Sequence, residues 1–507
     1  MGKLIKNVGF VMIATLIARA LGFVREMMLA SKFGTSTISD SFIVALSIPD
    51  LLINGFGTVI ATLYIPMYYK LLKEKKENVS KFNFSIISVL MMIAAAVIIL
   101  FQLFPKQFIL IFASGFDNEA SALTIKLTRV MIWSTIPIML AYFYRAYAQI
   151  EKKFAVATLV GCITNLTIII SLLIVDESKA YVLGYGALLG NVLYAVALNI
   201  LLRGTSYSSK PTWHIFNEHS KELLLNVVPV CFSNLVYEIN QILDKNFASM
   251  LVTGTISALN YSTKIINLIT AIFGTSIASV VYPRITKIHS RNDEKKEAEE
   301  LVSINSAMLL VLFPIAMLVA VFSKMIISLL FARGKFDATS LALTSECLIF
   351  YALGIIGFNL KSIWVRTFNA RLDTKTPAIN SAIAVAVNLM LNILLISKMQ
   401  HRGLALATAV SSLLTDALLI RKYAIVNKNF KIADFGKNTL KQMAALIAFV
   451  PCILLDNHMA VIDVKAAVEA MGLSIICSFI YLGINLLLKE TTVFSLYERA
   501  KDGKVSN

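Results

Sequence analysis

The chain has 507 residues, 57% hydrophobic and only 15% charged, with a mean hydropathy of +0.75. That is too few charges to clothe a soluble protein of this size, which excludes a water-soluble enzyme, a disordered or collagen-like chain and a disulfide scaffold. The excess of 47 Lys+Arg over 30 Asp+Glu, a net charge of +17, fits basic loops on the cytoplasmic face of an integral protein and is not read as nucleic-acid binding.

A membrane-spanning helix needs about 20 apolar residues. Apolar runs against charged or Gly/Pro breaks predict fourteen such spans, near residues 7–31, 40–69, 83–114, 122–149, 155–175, 180–203, 222–250, 254–284, 300–331, 338–368, 376–398, 402–424, 437–455 and 465–488. The predicted fold class is an all-α polytopic membrane protein, because backbone in lipid must satisfy its own hydrogen bonds and the runs are too long for barrel strands. The first run follows Lys3 and Lys6 as a signal peptide would, but Arg19 and Arg25 interrupt it and further spans follow, so it reads as a retained helix. Basic residues gather in even-numbered connections: Lys70, Lys73, Lys75, Lys76 and Lys81 after span 2, Lys152 and Lys153 after span 4, Arg284 to Lys296 after span 8, and Arg421 to Lys431 after span 12. This places both termini in the cytoplasm. The mixed stretch Asn292 to Glu300 reads as a solvated charge run. The five cysteines (Cys162, Cys231, Cys347, Cys452, Cys477) have no CxxC spacing, and the five histidines are too scattered for a metal site.

A repeat organises the chain. Phe56-Gly57-Thr58-Val59-Ile60-Ala61-Thr62 with Pro66 reappears 217 residues later as Phe273-Gly274-Thr275-Ser276-Ile277-Ala278-Ser279 with Pro283. Arg145, the turn Lys152-Lys153 and Asn165 are echoed by Arg366, the turn Arg371 to Lys375 and Asn388. An even number of spans separates the copies, so they share orientation and form two parallel six-helix lobes, an arrangement suited to alternating access. The expected divisions are 1–215 (spans 1–6), 216–430 (spans 7–12), and 431–507 (spans 13–14 and a cytoplasmic tail). The last two spans are expected to be either a lipid-facing accessory pair or a pair that only widens the bundle.

Several polar side chains fall where lipid should be. Arg19 lies roughly 18 Å into span 1 and Lys264 roughly 15 Å into span 8 from the opposite face, with Arg25 nearer the outer side. A cation at a helix centre costs about 2.5–3.5 kcal/mol on insertion scales, so these three are expected to face a hydrated cavity; otherwise Arg25 snorkels outward and Arg19 pairs with Glu26 or Asp40. Asn234, Glu238, Gln241 and Lys245 form a polar stripe on span 7. Asp244, Asn388, Asn392 and Thr408 are hard oxygen ligands at similar depth, suited either to Na⁺ or to interhelical hydrogen bonding.

The sequence Ala18-Arg19-Ala20-Leu21-Gly22-Phe23-Val24-Arg25-Glu26, with Phe33-Gly34, Asp40-Ser41-Phe42 and Ile48-Pro49-Asp50-Leu51-Leu52, resembles the opening signature of the MurJ (MviN) lipid II flippases of the MOP exporter superfamily. Ile256-Ser257-Ala258-Leu259-Asn260-Tyr261, Phe273-Gly274-Thr275, Gly334-Lys335-Phe336 and Asp373-Thr374-Lys375-Thr376-Pro377 extend the resemblance to span 12. It implies a V-shaped bundle carrying undecaprenyl-pyrophosphate-linked disaccharide-pentapeptide (lipid II) to the outer leaflet of the bacterial plasma membrane. By position it implies a substrate site at Arg19, Arg25, Lys264 and Asp40, beside Glu26, and a Na⁺ site at Asp244, Asn388, Asn392, Thr408 and the carbonyl of Leu404. No other cofactor is implied. The implied partners are the lipid-linked glycan, membrane lipids and cell-wall synthesis proteins. Lys264 replaces a frequent arginine and Asn392 stands where an acid can occur, which bears on the particular lipid and ion.

The cationic cavity calls for an anion such as pyrophosphate, where a multidrug exporter of organic cations would place acids. A flippase for O-antigen or capsule repeat units shares that preference and is the alternative. No catalytic acid cluster and no GxxxxGK[ST] loop is visible, so the chain reads as a transporter, not an enzyme, driven by membrane potential or a cation gradient.

Overall fold

The computed structural model describes residues 2–74, 76–207, 209–211, 222–223, 238–458 and 464–493. Every predicted span coincides with helix where it is described. Span 7 is described at 222–223 and from Glu238, so Asn234 and Cys231 lie outside the described residues, as do Lys75, His214 and His219. Among the described residues, nine helices are long and apolar enough to cross a membrane by length and composition.

The helices are α1 (Gly2–Phe33), α2 (Thr37–Glu74), α3 (Lys76–Leu103), α4 (Pro105–Ala113), α5 (Asn118–Met131), α6 (Thr135–Ile150), α7 (Phe154–Val160), α8 (Cys162–Ile174), α9 (Leu183–Leu202), α10 (238–249), α11 (Thr255–Thr270), α12 (Ser276–His289), α13 (Glu294–Val321), α14 (Ser323–Phe331), α15 (Ala338–Ala370), α16 (Lys375–Val426), α17 (Ile432–Ala445), α18 (Val450–His458) and α19 (Val464–Leu487). Many predicted spans are therefore two helical pieces, and local chemistry explains where they divide. Proline lacks an N–H and its ring crowds the carbonyl four residues back. Pro137 follows the 3₁₀ turn Ile132–Ser134 and Pro451 the turn Leu446–Phe449, so in both cases the crowded residue, Trp133 or Ile447, lies in the tightened turn. Pro105 opens α4 at a position where no donor is needed. Spans 11 and 12 run together as α16, broken at Gln400 (φ 50°).

The chain forms two compact units, residues 1–257 with 333–337, and residues 258–332 with 338–507. In the first, the core is aromatic: Tyr64 stacks on Phe82 at 5.8 Å and meets Phe143 edge-on at 5.0 Å, while its hydroxyl donates to Asn83. In the second, Trp364, Tyr423 and Phe430 form a similar cluster. The repeated glycine plays the same part in each unit. Gly57 of α2 packs against the Tyr142 ring of α6, and Gly274 packs against Asn359 of α15, with spaces that a Cβ would overfill. Around Gly274 the backbone forms a π turn, Ala271–Thr275, and the Gly274 carbonyl accepts the Ser362 hydroxyl at 3.1 Å.

The expected accessory pair, α17 to α19, packs within the second unit on Leu310, Phe322 and Met325 through Phe449, Cys452, Cys477 and Tyr481. Asn438 donates to Ser306 and to the fully buried Glu490. The other faces expose Leu440, Met471 and Phe479, an apolar surface suited to lipid.

Residues 333–337 tie back into the first unit. Lys335 N–H donates to the Ser31 carbonyl at 2.7 Å, and its ammonium pairs with Glu177. Gly334 has φ +62°, and a Cβ there would lie 2.2 Å from the Ser31 oxygen. Left-handed backbone and overpacking together cost about 2–3 kcal/mol for a residue with a side chain. Gly334→Ala should therefore lower the unfolding temperature of the purified protein by several degrees; an unchanged melt would show that this tie is dispensable.

Candidate functional site

Arg25 sits on α1 where that helix meets α8. Its guanidinium donates to Asn165 Oδ1 at 3.0 Å and to Glu26 Oε1 at 2.5 Å, with the Arg25 side chain 14% exposed. Gly22, nearly a turn earlier, lies close to the Asn165 amide. Arg25 thus turns inward to α8 and does not snorkel, and the acid beside it is Glu26. Two contacts fix the plane of a fork that carries five donors. Arg19 is half-buried on the same helix.

Asp40, 3% exposed, accepts from Gly254 N–H and Ser257 N–H, both at 2.7 Å. Those donors are orphans at the start of α11, so the carboxylate caps that helix. Gly254 takes φ +93° beside Thr35. The geometry gives Asp40 a positioning role, since Lys264 lies seven residues beyond Ser257 on the helix it caps. Lys264 itself is half-buried.

The remaining polar residues fall into two groups. In the first unit, Asp244 accepts from Asn240 at 3.2 Å, Glu238 is buried, and Gln241 and Lys245 are half-buried on α10. The C-terminal part of α10 is held by the 114–115 turn, where Ser114 donates to Asn246 and Gly115 N–H to Ser249. In the second unit the structure brings Asn388, Asn392, Leu404 and Thr408 into one α16 network. Asn392 donates to Asn388 Oδ1 at 3.1 Å, Asn388 to Ser411 at 3.5 Å, and Thr408 to the Leu404 carbonyl at 3.0 Å.

One reading of the sequence is overturned. Within the supposedly solvated run 292–300, Glu297 is completely buried. It accepts from Arg371 Nε at 2.9 Å, Tyr423 hydroxyl at 3.0 Å, and shares a hydrogen with His289 Nδ1 at 3.0 Å, while Arg371 lies over the Tyr423 ring at 4.9 Å. The available signal was spacing: Glu297 and Leu301 are four apart, on the same inward face of α13. Lys361 and Asp416, inside apolar runs, were also passed over.

Helical bundles with buried cations on a membrane helix, built twice from one repeat, define a polytopic transporter. The family model "Lipid II flippase MurJ" matches residues 29–478, and the chain belongs to that family. A probable lipid II flippase MurJ of Rickettsia prowazekii is 27% identical over 82% of this chain and 83% of its own length, and one of Haemophilus influenzae is 26% identical over 94% and 98%. Among solved structures, lipid II flippase MurJ in an inward closed conformation superposes with a TM-score of 0.81 at 25% identity, covering 94% of this chain and 98% of that one. An inward-facing multidrug resistance MATE transporter of the MOP superfamily, at 12% identity and a TM-score of 0.68 over 84% of this chain and 99% of that one, shares the fold.

Two predictions test the local geometry. Removing Glu297 would strand a buried guanidinium, so Glu297→Ala should cost about 3–5 kcal/mol and Glu297→Gln less, read from thermal unfolding. Outside the helices, Asp373 accepts from the Thr376 hydroxyl (2.6 Å) and N–H (2.9 Å), which holds its carboxyl below the usual 3.8. That contribution is complete above the unfolded value and is lost as pH falls through the lower folded one. Asp373→Ala should cost about 1 kcal/mol near neutrality, and the gap from the unsubstituted chain should close in acid; a gap unchanged by pH would refute the capping role.

Proposed function

We propose that this chain moves lipid II from the inner to the outer leaflet of a bacterial plasma membrane by alternating access, with both termini in the cytoplasm. The observation that carries the reading is the match of the lipid II flippase family model over residues 29–478. The cationic helix α1 supports it chemically: a pyrophosphate needs oriented donors, and the guanidinium of Arg25, held by Asn165 and Glu26, presents them. Arg19 and Lys264 supply further positive charge along the route. The exposed apolar faces of α17 and α19 suit the prenyl chain. Membrane potential or a cation gradient supplies the energy, and cell-wall synthesis proteins are the partners that would consume the delivered lipid.

The neutral oxygens of Asn388, Asn392, Leu404 and Thr408 fit a sodium ion in chemical kind. Thr408 and Asn392 already donate to the Leu404 carbonyl and to Asn388 Oδ1, and a carbonyl oxygen keeps a second lone pair for an ion. Asp244, which accepts from Asn240 in the first unit, is the acid that the resemblance assigns to the ion, so Asp244→Asn should abolish any sodium dependence of transport.

The test of the substrate is complementation. Expressed in cells depleted of their lipid II flippase, the chain should restore growth and lipid II exposure at the outer surface. Arg19→Ala and Arg25→Ala should abolish rescue at normal membrane levels, whereas Lys264→Arg should be tolerated because charge is retained. Normal growth of the alanine variants would overturn the head-group assignment. Export of a strain's own O-antigen or capsule unit without rescue would favour that alternative.

A further inference from the structure

Between α15 and α16 the second unit holds a charged pair that neither the head-group nor the sodium reading uses. Asp416 is 3% exposed, and neither carboxylate oxygen has a hydrogen-bond partner among the described residues. The charge acting on it is Lys361. Their placement follows from close helix packing. A Cβ on Gly354 would lie 3.2 Å from Ala409 Cα, and one on Gly357 would lie 2.4 Å from Ser412 Oγ and 2.8 Å from Leu413 N. Both steps advance in the same direction, so the helices run parallel here, and four residues further along each come Lys361 and Asp416. Counting from Ala370 and Val426 puts both roughly 14–15 Å inside the nearer helix ends.

Arg366 is half-buried more than a turn beyond Lys361 on α15, and further charges of the two helices lie elsewhere. Glu346 of α15 binds His401 and Arg402 far up the helices, Arg371 is held by Glu297, and Arg421 and Lys422 of α16 are exposed. Nor does the duplicated fold demand the pair. Lys361 stands five residues before Arg366, and the residue five before Arg145 in the first copy is Leu140.

A buried carboxylate lacking hydrogen bonds is costly as an anion, and its accessible states are a neutral acid or an ion paired with Lys361. A metal ion is a poor fit. The ammonium repels it, and the Ser412 and Thr415 hydroxyls donate to the Ala409 and Ser411 carbonyls. We propose that Asp416, with Lys361 as its counter-charge, is a proton-binding site of the second unit. The carboxylate takes one proton from water, forming its O–H bond, and later returns it. The pair alternates between net zero (carboxylate and ammonium) and net +1 (carboxylic acid and ammonium). This deepens the driving-force part of the transport reading by naming the cation and its carrier.

The experiment is infrared difference spectroscopy of the full chain in lipid nanodiscs, stepping pH in sodium-free buffer. A protonated-carboxyl band should titrate, vanish in Asp416→Asn and move to the glutamic acid position in Asp416→Glu. Lys361→Met should retain the band with its midpoint about one pH unit or more higher, a tenfold gain in proton affinity. Identical spectra for Asp416→Asn and the unsubstituted chain overturn the proposal. So does a midpoint that moves when sodium is added, which would make the site a metal site. Should Asp416→Asn fail to fold, Asp416→Glu and Lys361→Met decide the matter in the same way. No lipid II is needed for these spectra. A missing Asp416 signal with lipid II translocation intact therefore overturns this inference alone, and a normal signal without translocation overturns the flippase reading.

Discussion

Backbone N–H and C=O groups in hydrocarbon have no water to pair with, so each must be satisfied inside the protein. That constraint makes the chain helical, and it also governs how helices are interrupted. At Pro137 and Pro451 a 3₁₀ turn absorbs the lost donor. At Gly274 a π turn exposes a carbonyl that Ser362 covers. Where α11 begins, orphan N–H groups are taken by the Asp40 carboxylate from an element more than two hundred residues away. At Gly274 and at the start of α11 the interruption is thus also a tie between elements, and the tie at Asp40 fixes the origin of the helix that carries Lys264.

The same accounting extends to charge. Three buried or half-buried cations are handled differently within their own units. Arg25 is partly neutralised by Glu26 and keeps donors to spare. Arg371 is held through Nε by Glu297, with Tyr423 beneath it, as a structural clamp. Lys361 acts on a carboxylate that no donor among the described residues satisfies. One fold thus contains a cation with donors to spare, one held in packing and one set against a buried acid, and neighbours decide which is which.

Periodicity and hydropathy made the spans legible, because a run of apolar residues long enough to cross a bilayer has few alternative structures. The repeat was legible because Gly57 and Gly274 meet the same steric demand in each unit. Arg25 and Asp40 were visible as polar residues in apolar surroundings, but their partners were not. Asn165 and Ser257 are distant in sequence, and only folding brings them close. Glu297 was misread because its charged neighbours Lys295, Lys296 and Glu299 are solvent-facing, and composition averages over faces that a helix keeps apart. Asp416 escaped notice because the sixteen-residue advance from Gln400 looked like ordinary apolar helix with one tolerated acid.

The π turn at Ala271–Thr275 has a consequence for the duplication itself. Gly57 and Pro66 in α2 are joined by continuous α-helix, whereas Gly274 and Pro283, the same number of residues apart, have a wider turn at the start of the interval. The two copies therefore match in sequence register but differ in angular phase beyond the glycine. A single local change of winding thus makes two helices of one sequence pattern inequivalent without any insertion.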